Sequence, residues 1–184
     1  LMHFLRRELG CECHGVDVSP LAVEGIQKAD GIFPQCADVR DADYGPASFD
    51  LIVMVDVIEH VDDPVSVMNR VFELLKPGGI VYIHTLNQKS LIYRAALAGA
   101  GASRALHPFV ERLYIDFHPY YFDRPSLNRL VTGSGFTIKR RYDQELDMRT
   151  ISYSFIIKTG LLFFYAAQKL MKDKTTQTII AAKR

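Results

Sequence analysis

Acidic residues recur at matching places along this sequence. Asp17 lies in the strand-like run Cys13 to Val18, and Asp38 in a second, Phe33 to Val39. Asp56 follows a third run, Phe49 to Val55, and leads into Val57, Ile58, Glu59 and His60. Thr85, Leu86 and Asn87 come at the end of a fourth, Ile80 to Thr85. In open parallel sheets ligands bind beyond the carboxyl ends of the strands, so these residues would share one edge. A carboxylate at such an end can accept both hydroxyl protons of a ribose diol, which Asp17 fits. A carboxylate on the next strand can accept from the exocyclic amine of adenine, which Asp38 fits. Taken singly, each acid is equally at home as a helix N-cap or turn residue. Delivery of an acid by three successive strands to one edge favours the ligand.

The elements that must carry these residues alternate. Phe4, Leu5 and Leu9 share a helical face that Gly10 ends. Ser19-Pro20 opens a second helix as N-cap and first-turn proline, with Gly31 as its stop. Phe49 to Val55 is nearly all apolar, as in a strand covered on both faces. Asp63-Pro64 starts a helix in which Val67, Met68, Val71, Phe72, Leu74 and Leu75 keep a 3.6-residue period, and Lys76-Pro77-Gly78-Gly79 stops it. Beyond Asn87 the pattern predicts helices over Ala95 to Ala105 and Pro125 to Ser134. Strands follow over Phe136 to Tyr142 and Thr178 to Ala182. Strand–helix–strand alternation with short connections predicts an α/β fold: a Rossmann-like, doubly wound, mostly parallel sheet closed by an antiparallel C-terminal strand.

The 184 residues suit a single domain. Apolar residues make up 48% and charged residues 23%, which excludes wholesale disorder and fibrous architectures. A net charge of +1 gives no electrostatic reason to expect nucleic acid as a partner. The three cysteines suit a reducing compartment, and Cys11 and Cys13 lack a zinc spacing, so no metal is expected.

Several segments, in order and spacing, carry a resemblance: Gly15 to Pro20, Ala37-Asp38-Val39, Ser48 to Val61, Leu75 to Gly79, and Thr85-Leu86-Asn87. Together they resemble class I S-adenosylmethionine-dependent methyltransferases, in the branch that holds ubiquinone-type O-methyltransferases and other small-molecule enzymes. The resemblance is good over residues 1–87 and returns over His118 to Tyr142. It implies S-adenosylmethionine as cofactor and methyl transfer to a small-molecule acceptor. It also implies that Asp17 holds the ribose hydroxyls, that Val18 lines the adenine face, and that Asp38 meets the adenine amine with Val39 beside it. Asp56 and Val57 would run along the methionine end. Glu59 and His60 match the family's Glu-His pair near the reaction centre, and His118 and Tyr121 fall in its acceptor segment. If the acceptor is a hydroxyl, a base must take its proton, and His60 or His118 is the candidate.

One departure stands out. No Gly-x-Gly-x-Gly precedes Asp17. The family's first strand and glycine loop should precede the first helix, so the resemblance implies an N-terminally truncated piece of a longer enzyme. The alternative is a degenerate, non-catalytic relative. A nicotinamide-dependent oxidoreductase is the more distant rival, because no hydride-transfer constellation directly follows the fourth strand. On this reading residues 1–87 are the cofactor half of one domain and residues 88–184 the acceptor half, with inserted helices. The apolar stretch 151–171 has Lys158 and Gly160 inside it, unlike a span of about 20 apolar residues. It is expected to pack on the sheet edge, form a lid or make a dimer contact. The minority alternative is peripheral membrane attachment of an otherwise cytoplasmic protein through Lys158, Lys169, Lys172 and Lys174.

Overall fold

The apolar run Phe49 to Val55 forms a strand with the boundaries that its composition predicts, and it pairs in parallel with the strand that contains Lys76-Pro77-Gly78-Gly79. The computed structural model describes residues 1–26, 31–90, 93, 94, 98, 119–144 and 174–184. Among them the order is α1 (Met2–Leu9), β1 (Cys13–Asp17), α2 (Pro20–Glu24), β2 (Ile32–Cys36), β3 (Phe49–Val55), α3 (Pro64–Leu74), β4 (Leu75–Leu86), α4 (Arg124–Gly133), β5 (Phe136–Gln144) and β6 (Thr176–Lys183).

The caps behave as their chemistry requires. Gly10 takes the left-handed conformation, φ +67°, and its N–H returns to the Arg6 carbonyl. The Ser19 hydroxyl accepts from the Ala22 N–H, and the Asp63 carboxylate accepts from the Val65 and Ser66 N–H groups. Asp123 and Ser126 close a reciprocal capping box at α4. Helix α2 is shorter than the sequence suggests: Gly25, not Gly31, sits at its C-cap. Gly31 instead turns into β2 at φ +76°.

The strands form two groups. β1 pairs with β2 in parallel. The second sheet has the order β3-β4-β6-β5, with β3 and β4 parallel and β6 antiparallel to both its neighbours. This is the antiparallel closure that the sequence predicts. Strand β4 begins five residues earlier than expected, because Leu75 already pairs with Phe49 while Ile80 pairs with Leu51. The ladder absorbs the intervening residues as an irregularity in which Gly79 is obligatory. A Cβ there would lie 2.8 Å from the Lys76 carbonyl oxygen.

The core lies where the period-2 faces of β4 and β6 meet α3 and α4. Val81 opposes Ala181 and Ile83 opposes Ile179, all essentially inaccessible. Val67, Met68, Val71, Leu127 and Val131 pack onto them. The expectation that β3 is covered on both faces is corrected. Leu51 and Val55, which share one face of β3, are 47% and 46% exposed, whereas Met54 on the opposite face is buried against the core. The tie to β1 is aromatic: His14 stacks on Phe33 of β2 and meets Phe49 of β3 edge-on at 5.5 Å. Helices α1 and α2 pack against the β1–β2 pair. Among the described residues no helix is long and apolar enough to cross a membrane; the 95–105 segment, Ala98 apart, and the 151–171 segment lie outside them.

Candidate active site

Asp17 ends β1 and is exposed. Its Oδ1 accepts from the Ser19 N–H at 2.8 Å, which orients the carboxylate. A carboxylate can take about four donors, so further acceptor positions stay open to a ligand. Val18 and Leu21, directly after it, are 70% and 80% exposed. An acid with spare acceptor capacity beside solvent-facing aliphatic side chains suits a ligand with hydroxyls at one end and a flat apolar face at the other.

Asp56 follows β3 in the left-handed region at φ +51°, with its N–H donated to the His84 carbonyl at 3.0 Å. Aspartate tolerates this conformation better than most residues, and such conformations concentrate at functional sites. No local sequence signal announces it. Val57 is 40% exposed, and Asp56 and His60 are also on the surface. A turn in which the His60 N–H returns to the Val57 carbonyl then drives Ile58 and Glu59 inward.

Glu59 is the buried member of the Glu-His pair. It is 2% exposed, and neither carboxylate oxygen has a hydrogen-bond partner. The buried Thr85 hydroxyl lies against this carboxylate without a well-formed hydrogen bond, and their interaction offsets only part of the cost of burial. Burial raises the Glu59 carboxyl above the usual carboxylate range, and the nearby Asp56 charge adds to this. The folded state therefore holds this proton more tightly than the unfolded chain does. Stability is highest below the unfolded value of about 4.3 and falls as pH rises through the raised folded value. Glu59→Gln, which cannot ionise, should flatten that fall. Urea midpoints at about pH 4 and about pH 8 should separate in favour of the variant at the higher pH. Parallel slopes would refute it.

Asp38 lies just past β2, with Val39 half-buried against the core. Its carboxylate is held by Arg40. Oδ1 accepts from the Arg40 backbone N–H at 2.8 Å and from Nε at 2.9 Å, and Oδ2 accepts from Nη2 at 2.6 Å. These bonds keep Asp38 below the usual carboxylate range and raise Arg40. The same Nη2 reaches Asp62 Oδ1 at 2.9 Å, joining the loop after β2 to the loop after β3. Arg70 of α3 pins the first of these loops through the Ala42 and Tyr44 carbonyls. Sequence reasoning missed Arg40; the Asp-x-Arg spacing, which allows a side chain to fold back on its neighbour, was the available signal.

The segment 119–122 closes over the loop after β3. The Tyr120 N–H donates to the Glu59 carbonyl at 3.3 Å, and its hydroxyl donates to the Asp62 carbonyl at 2.9 Å. Gln177 of β6 is fully buried and donates to the Leu86 and Phe122 carbonyls. Tyr121 is half-buried in this segment. His118 lies outside the described residues. Among the described residues no group of three His, Cys, Asp or Glu side chains is arranged to hold a metal ion.

Residues 1–140 match the family described as a methyltransferase domain. The chain belongs to that family. Its fold is that of the class I S-adenosylmethionine-dependent methyltransferases. Over 137 residues it is 33% identical to a ubiquinone biosynthesis O-methyltransferase of Pseudomonas fluorescens, covering 71% of this chain and 57% of that protein. A protein of the same name from Xanthomonas campestris is 30% identical over 115 residues, 59% of this chain and 48% of that one. The chain spans about half the length of the curated relatives it matches. Among solved structures, a methyltransferase from Thermotoga maritima superposes with a TM-score of 0.64 at 18% identity, covering 92% of this chain and 72% of that one. A Haemonchus contortus phosphoethanolamine N-methyltransferase in complex with S-adenosyl-L-methionine gives 0.63 at 18% identity, covering 98% and 45%. At such identities these structures speak for the fold alone.

Proposed function

We propose that this chain binds S-adenosylmethionine and directs its methyl group to a small-molecule acceptor. The observation that carries the reading is a feature repeated at the C-terminal ends of β1 and β3. Asp17 and Asp56 present carboxylates there beside the solvent-facing Val18 and Val57. That combination fits an adenosine with a charged amino-acid tail: acceptors for the ribose hydroxyls, aliphatic cover for the purine, and an acid toward the ammonium end. The bound cofactor supplies an activated methyl on a sulfonium. The protein's part is alignment of acceptor, methyl and sulfur, so positioning is the main catalytic contribution. Residues 1–87 serve as the cofactor half of one domain and residues 88–184 as the acceptor half.

A hydroxyl acceptor is the finer reading, supported by the O-methyltransferase names of the relatives. It calls for a base, and the exposed His60, four residues after Asp56, suits that role, with His118 the alternative. Glu59, buried behind it, would hold the turn rather than touch the acceptor. Tyr121 would line the acceptor side.

Calorimetric titration with S-adenosylhomocysteine tests the reading. Binding in the micromolar range, about −8 kcal/mol, is expected. No binding at millimolar ligand would overturn the cofactor assignment for this chain.

A further inference from the structure

The carboxylate of Asp38 is nearly saturated before any ligand arrives. Of about four acceptor positions on a carboxylate, the Arg40 backbone N–H and Nε take two on Oδ1 and Nη2 takes one on Oδ2. One position on Oδ2 is left. The fork is planar and two-pronged, so it fixes the plane of the carboxylate as well as its place. Through Asp62, itself 78% exposed, the same guanidinium anchors this loop to the one after β3.

We propose that Arg40 is a specificity-determining residue of the cofactor site: it orients the Asp38 carboxylate so that a single acceptor position faces the exocyclic amine of a purine. The inference rests on the cofactor reading above and goes beyond it. One open acceptor matches one N–H of an amine, and the other N–H of that amine remains free for a second partner. A pre-oriented acceptor spares the ligand the cost of ordering it. Without Arg40 the carboxylate is free to rotate and to hydrogen-bond with water, and the advantage of carrying an amine is lost. A ligand with hydrogen in place of the amine makes no such bond and should be indifferent to Arg40.

The test compares two ligands by calorimetry on the full chain: S-adenosylhomocysteine and its deamino analogue, in which purine replaces adenine. In Arg40→Gln the affinity for S-adenosylhomocysteine should fall about 10-fold or more. The affinity for the deamino analogue should change less than about twofold, since no hydrogen bond to it is lost. Arg40→Lys keeps the charge but not the fork, and should behave as the glutamine variant does. Equal losses for both ligands would make Arg40 merely structural and overturn the proposal. Full rescue by lysine, or no loss in either variant, would overturn it as well. Failure of the unsubstituted chain to bind either ligand would instead remove the cofactor reading, and this inference with it.

Discussion

Asp17→Ala should weaken S-adenosylhomocysteine binding by about 1–3 kcal/mol, roughly 5- to 150-fold, through loss of charge-assisted hydrogen bonds to the ribose hydroxyls. The residue is suited to the task by what it lacks as much as by what it holds. One oxygen is fixed by the Ser19 N–H at 2.8 Å, which sets the direction of the carboxylate without exhausting it. Because Asp17 is exposed at the end of a strand, its removal leaves no buried group unpaired, and the folded state should tolerate the change. Asp17→Asn separates charge from shape: it keeps one acceptor oxygen and should recover only part of the affinity. Calorimetry at fixed ionic strength reads both. Unchanged affinity in the alanine variant would sink the ribose assignment, whereas a lowered thermal midpoint with normal affinity would make Asp17 a turn residue.

Ile179→Ala should cost about 2–5 kcal/mol of folding stability, the usual range for truncating a fully buried branched aliphatic. Ile179 has no accessible surface and lies opposite Ile83, in the middle of the face that α3 and α4 cover. The neighbours on both strands are held by their ladders, so the space left cannot collapse, and the cavity adds to the lost transfer energy. Against a total of about 5–15 kcal/mol, this is a large fraction. Ile180 points to the other face and is only half-buried. Ile180→Ala is therefore the internal control and should cost clearly less. Urea unfolding of the two variants checks the pair, and equal midpoints would refute the assignment of the core to this face.

The site is more fragile than the core in a different sense. Its geometry depends on loops that follow strands, held by a few polar contacts. Arg40 ties Asp38 to Asp62, Tyr120 ties its own segment to Glu59 and Asp62, and Gln177 reaches across from β6 to the Phe122 carbonyl. Exposed ion pairs contribute little to stability. Their part here is to fix where carboxylates stand, which matters to a ligand even where it matters little to folding.

Local signals were enough for much of this molecule. The apolar run Phe49–Val55, the Ser19-Pro20 and Asp63-Pro64 helix starts, Gly10 as a stop and the alternation of strands with helices each follow from a few adjacent residues. Such features are decided by backbone sterics, capping and hydrophobic period, all of which act at short range. The placement of Asp17 at the end of a strand, and of Asp38 and Asp56 just beyond strands, was legible for the same reason. What the sequence could not decide depends on distant partners. Thr176 and Gln177 look polar, yet they belong to a buried strand because β4 and the Leu86 and Phe122 carbonyls supply their company. Strand β4 starts at Leu75 because Phe49, across the sheet, pairs with it. Glu59 and His60 are neighbours in sequence, but only the fold of the turn sends one inward and leaves the other at the surface. The sequence by itself determined the family, the order of the elements and which strand ends carry an acid. Tertiary structure alone decided which of those groups meet solvent, which are held by a neighbour, and which are buried without a partner, because burial and hydrogen-bond pairing are properties of groups far apart in the chain.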